Sequence, residues 1–155
     1  MFDGLTFPEE LSCMEDYAIM PHLVLAAGKI VYLPKPLYVY RIREEGLVRT
    51  PNLEVGYRCY QEAQKRLSKL KAMQLPCSVL GVLLQAKGFC CKYYQAGMPD
   101  QFASEYKECR GSLLRSALTV IGDRKLPLKD KLKYLLIPFK PVGRLYARNK
   151  QAAIR

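Results

Sequence analysis

The sequence predicts an α+β fold that is mostly α: one helix and two short strands at the front, then a helical region to the end. Three observations carry this. Apolar residues recur at three- and four-residue spacing through most of residues 52–153. Two short runs rich in β-formers, 29–33 and 37–41, stand either side of Pro34 and Pro36. Charge is divided too: residues 1–54 hold five basic and eight acidic residues, and 55–155 hold twenty and six. Such a shift in composition marks two parts with different roles, taken here as 1–50 and 51–155.

The elements follow in order. Phe7-Pro8-Glu9-Glu10 reads as a loop. Ser12-Cys13-Met14-Glu15 has the capping-box pattern, in which a Ser hydroxyl and a Glu three residues on satisfy the open amides of a helix start. The helix runs to Ala26-Ala27, where Gly28 stops it, and Pro21 inside it predicts a kink or a later start. Residues 29–33 and 37–41 are the two strands, with Tyr38 and Tyr40 alternating onto one face. They are short enough to belong to a larger sheet whose other strands lie outside this chain. From Asn52 a helix carries Leu53, Tyr57, Tyr60, Gln64, Leu67 and Lys71 on one side. A second starts at Pro76 and runs to about Gln95, with Gly97 and Pro99 as punctuation. A third spans about 100–120, a fourth about 128–137 between Pro127 and Pro138, and a short basic segment about 142–153 closes the chain.

Composition excludes several classes. The chain has 155 residues, a formal net charge of +11, half its residues hydrophobic and a quarter charged. That is ordinary for a globular protein and unlike a disordered or fibrous one. No stretch reaches the roughly 18–20 apolar residues of a membrane-spanning helix. Asp3, Glu9 and Glu10 stand where a secretion signal would place its basic flank and apolar run. The six cysteines form no Cys-x-x-Cys pair and have only His22 beside them, so a zinc ligand set is lacking. They read as reduced, buried and structural, in a reducing, cytoplasmic compartment.

Glu15-Asp16 is the one constellation placed for chemistry. Carboxylates in a first helical turn are favoured by the helix dipole alone. A carboxylate there, beside a loop, also suits a general base, which must be ionised and within hydrogen-bond reach of the hydroxyl it activates. The ordered set around it is distinctive: the aromatic-containing loop 7–10, Glu15-Asp16, an apolar helix, Lys29-Ile30, and Pro36-Leu37-Tyr38-Val39-Tyr40-Arg41. This resembles the C-terminal half of the catalytic domain of bacterial family 2 glycosyltransferases, over roughly residues 2–50.

The resemblance implies a remnant of a GT-A α/β sheet in 1–50, followed by a basic helical extension in 51–155. It implies an inverting transfer of sugar from a nucleotide-sugar donor to a glycan or lipid-linked acceptor, in polysaccharide or cell-surface glycan synthesis. Asp16 takes the place of the base on the acceptor hydroxyl, and Glu15 caps the helix or positions the acceptor. Tyr38, Tyr40 and Arg41 match the Tyr-x-Tyr-Arg element, and with Arg43 they would shape the donor or acceptor site; strand packing and an ion pair at Arg41 would serve those residues equally well. Two departures stand out. Glu44-Glu45-Gly46-Leu47-Val48-Arg49 fills the loop where family members commonly place Ser. The Asp-x-Asp motif that holds a divalent metal, Mg or Mn, on the donor diphosphate is absent from the chain, as is any Gly-rich phosphate loop. The metal site of the resembled family is thus outside this chain and the chain alone is expected to be inactive; a truncated gene, an internal start or a split enzyme with the donor half on a separate chain would each give this.

The remaining features have plainer readings. His22 lies on roughly the same helical face as Glu15 and reads as a partly buried helix residue. Tyr57, Tyr60, Tyr93, Tyr94 and Tyr106 read as core with hydroxyls at the rim. Residues 124–155 carry ten basic residues against Asp130 alone. With Leu132, Leu135, Leu136, Phe139, Val142 and Leu145 among them, this is the composition of a helix lying on an anionic membrane, on its cytoplasmic face. A solvated basic face over a helical core is the equal alternative. Nucleic acid is the weaker partner, since no helix-turn-helix, RNA-binding or OB signature occurs. A non-enzymatic basic helical module binding membrane or nucleic acid is therefore the alternative to the transferase.

Overall fold

The computed structural model describes residue 6, residues 14–39 and residues 52–152. The chain divides into two compact units, 1–50 and 51–155. The architecture is mostly helical, and no β-strand occurs among the described residues.

In the first unit, α1 spans Glu15–Ala26. Its N-cap is Met14, in the left-handed region at φ 62°, and no side chain caps the helix there. Ser12, the expected cap, lies outside the described residues. The helix runs through Pro21, and the amide of Ala27 closes it on the Leu23 carbonyl at 3.0 Å. The expected strands are corrected: residues 29–39 form no ladder, and every one of them is exposed. The high β-propensity of Ile30, Val31, Tyr32 and Val39 expresses how well such side chains fit a pleated, half-buried surface. Among the described residues no neighbouring strand supplies that surface, and within the segment Lys35 N–H reaches the Leu33 carbonyl at 2.8 Å. Residues 40 and 41, the end of the second expected strand, lie outside the described residues.

The second unit is a helical cluster around one central helix. Its helices are α2 (Leu53–Ala72), α3 (Leu80–Gln95), α4 (Ala103–Arg115), α5 (Ala117–Gly122), α6 (Leu128–Leu136) and α7 (Lys140–Ala152). The side chain of Asn52 accepts from the Val55 amide at 3.0 Å and starts α2. Both α2 and α3 end in a Schellman arrangement. Leu75 N–H reaches the Leu70 carbonyl and Gln74 N–H the Lys71 carbonyl, while Met98 N–H and Gly97 N–H do the same to Tyr93 and Tyr94. The left-handed residues are Gly97 and Met98 after α3 and Gln74, at φ 53°, after α2.

Helix α3 packs against α2, α4 and α7, while α5 packs against α6. It therefore buries residues on most of its circumference, among them Val82, Leu83, Ala86, Phe89, Cys90 and Tyr94. Two expected boundaries move. Helix α3 begins at Leu80 rather than Pro76, where the Ser78 hydroxyl accepts from the Leu80 amide at 3.2 Å. The helix expected over 100–120 is three pieces: a 3-10 turn over Asp100–Phe102, then α4 and α5, separated at Ser116 (φ −95°, ψ 10°). Where α7 crosses α3 the approach is tight. A Cβ on Gly143 would meet the Tyr94 ring at 2.2 Å and the Ile137 carbonyl at 2.6 Å, so glycine is required for contact, not for backbone freedom.

Candidate functional site

Glu15 and Asp16 occupy the first turn of α1 and are both exposed. Asp16 Oδ1 accepts from the amide of Tyr17 at 2.6 Å, which turns the carboxylate back over the amino end of the helix. There the unpaired backbone amides carry partial positive charge and favour an anion. One carboxylate oxygen is thus engaged with the helix, and the side chain as a whole stays open to solvent. His22 lies further along α1 and is half-buried, as its position on the helix led one to expect.

Tyr38 lies in the irregular segment after α1 and is 80% exposed. Tyr40, Arg41 and Arg43 lie outside the described residues. The structure therefore brings Glu15 and Asp16 together by helix geometry and places Tyr38 on a separate segment of the same unit. Among the described residues no three His, Cys, Asp or Glu side chains come together to hold a metal ion. The described residues thus offer no ligand set for the divalent metal of the resembled family.

A second cluster lies inside the helical unit. The Tyr94 hydroxyl donates to the Ile137 carbonyl at 2.9 Å and is 2.9 Å from the Tyr106 hydroxyl. Arg110 Nε donates to the Pro138 carbonyl at 2.9 Å. Tyr93 and Tyr106 stack at 4.6 Å between centroids. On the other side of α4, the Tyr60 hydroxyl sits 2.5 Å from Ser112 Oγ and accepts from Gln64 Nε2 at 2.8 Å, and the Tyr57 hydroxyl donates to Glu108 Oε2. Burial raises the phenol pKa of Tyr60 and Tyr94, and the hydrogen bond to Glu108 does so for Tyr57, so these hydroxyls stay protonated.

Cys90, Cys91 and Cys109 are buried, whereas Cys77 is exposed, against the expectation of uniform burial. Burial pushes the Cys90 thiol up to about 12 and raises that of Cys109 as well, which leaves neither a nucleophile near neutral pH. The cluster is structural chemistry. It ties α3 and α4 to the corner between α6 and α7, and the aromatic residues pack as core, as their pattern suggested. Arg110 was not singled out in the sequence, and nothing local could have done so, because its acceptor is 28 positions away.

Among the described residues no helix is long and apolar enough to cross a membrane. No protein-family model, curated protein or solved structure matches this chain.

Proposed function

We propose that residues 1–50 are the acceptor-side end of a family 2 glycosyltransferase domain of GT-A type, with Asp16 as the base. The observation that carries this is the exposed Asp16 carboxylate in the first turn of α1, at its place in the ordered set of motifs running from Phe7 to Arg41. In the proposed reaction Asp16 takes the proton of an acceptor hydroxyl, on a glycan or a lipid-linked sugar. The oxygen attacks the anomeric carbon of the nucleotide sugar, the bond to the nucleotide diphosphate breaks, and configuration inverts. Glu15 supports the helix start or the acceptor, and Tyr38, Tyr40, Arg41 and Arg43 bound the substrates.

In this reading the donor half lies outside residues 1–155, and these residues alone transfer no sugar. The test is transfer of labelled sugar to acceptor by the chain together with a donor-binding half of the same enzyme class. Asp16→Asn is expected to lower transfer by about 100- to 10,000-fold, the range for loss of a general base, with helix content unchanged. Full activity in Asp16→Asn removes that residue from the role. A non-enzymatic module is the second reading. The observation favouring it is the outward face of α6 and α7.

A further inference from the structure

We propose that the outward face of α6 and α7 docks this chain on the surface of an anionic lipid bilayer. The face starts from where these helices are buried. Helix α6 turns Tyr134 inward, Ile137 follows it into the core, and α7 buries Gly143 and Ala147. The opposite side of a helix packed in this way is ordinarily polar. Here it is not. Leu128, Leu132 and Leu136 follow at four-residue steps, so they form one stripe along α6, and all three are exposed, Leu128 to 73%. Phe139 at the corner is half-exposed, and Val142 and Leu145 continue the apolar surface on the outside of α7. Helix α5, packed on α6, adds exposed Leu118 and Ile121.

Single exposed leucines are normal on a protein surface, but a stripe continued across two helices and a corner is an interaction surface. Its charge identifies the partner. Lys129 on α6 and Lys140, Arg144 and Arg148 on α7 are exposed beside the stripe. The single acid of this region, Asp130, is engaged by Lys133 at 2.7 Å. The ion pairs described in the chain, Arg58–Glu54, Lys65–Glu62 and Lys133–Asp130, leave Lys140, Arg144 and Arg148 unneutralised among the described residues. A nucleic acid would satisfy these cations and leave the leucines in water. A bilayer with anionic headgroups takes both, since apolar side chains enter the acyl boundary while long basic side chains reach up to the phosphates. The inference does not depend on the transferase reading, and the Asp16 experiment does not bear on it.

The test is co-sedimentation of the full chain with vesicles of phosphatidylcholine alone and of phosphatidylcholine mixed with phosphatidylserine. Binding is expected to be at least about tenfold tighter to the mixed vesicles and to weaken with added salt. Leu132→Glu together with Leu145→Glu is expected to lower it by about tenfold or more. Arg148→Gln is expected to lower it about fivefold on mixed vesicles and leave the neutral ones unchanged. Circular dichroism confirms that each variant is folded, and Leu128→Glu replaces the pair should it not be. The proposal fails if the chain does not sediment with mixed vesicles or binds both kinds equally. It also fails if the folded leucine variants bind as the parent does while an oligonucleotide displaces the vesicles.

Discussion

In the helical unit Tyr60, Tyr93, Tyr94 and Tyr106 are buried, and their rings stack or their hydroxyls are held by named partners; in the first unit Tyr32 and Tyr38 are 85% and 80% exposed. Leucine divides in the same way, Leu83 and Leu113 inside and Leu33 and Leu37 outside. Residue type is the same on both sides of residue 50, so propensity is not what separates them. What differs is a central helix. Helix α3 offers a buried surface to three others, so apolar side chains of the second unit find neighbours within it. Residues 29–39 have no such element among the described residues, and their apolar side chains remain in solvent.

Truncating one leucine in each unit should separate the two most widely. Leu113→Ala removes a side chain that is 2% exposed and leaves a cavity beside α3, and is expected to lower stability by about 2–5 kcal/mol. Leu33→Ala, at 52% exposure, is expected to stay within about 0.5 kcal/mol. Urea unfolding of both variants measures the contrast, and equal losses would mean that residues 29–39 are packed after all. Next in size is Gly143→Ala. The added methyl meets the Tyr94 ring and the Ile137 carbonyl, and one of them has to move for α7 to stay seated. Overpacking of this kind costs about 1–3 kcal/mol, and thermal unfolding should show a lower Tm.

A further effect appears only in alkali. The folded helical unit holds protons on Cys90 and Cys109 that an unfolded chain releases, because burial raises both thiols above their ordinary value of 9.0. For groups raised in this way stability is full below the unfolded pKa and is lost as pH rises towards the folded one. Stability should therefore fall from about pH 9 upward, by roughly 1.4 kcal/mol per pH unit for each thiol. Denaturant midpoints measured across that range check it, and Cys109→Ser should flatten the slope.

How much of this was legible in the sequence varies with how local the cause is. Asn52 and the periodicity after it marked α2 correctly, because the cap and the apolar face both lie within the segment. Gly97 marked the end of α3 for the same reason. The start of α3 lies at Leu80 and not at Pro76, which suits a first turn but stands here in the loop before the helix. The break at Ser116 carries no glycine or proline, and the separate packing of α5 on α6 was invisible along the chain. The strands failed because β-formers report a half-buried sheet surface, and that surface needs a neighbour. At the candidate site the position of Glu15 and Asp16 in a first helical turn was readable from residue order. The expected cap was not, since a left-handed Met14 holds that place.

The corner between α6 and α7 is held from a distance along the chain. Helix α6 ends with carbonyls at Ile137 and Pro138 that find their donors on Tyr94 and Arg110, 43 and 28 positions earlier. The end of α6 is thus tied to two other helices as well as to the local bond from Phe139 N–H to the Leu136 carbonyl. The last two helices are thereby anchored on α3 and α4, so a change at Tyr94 or Arg110 is felt at the far end of the chain.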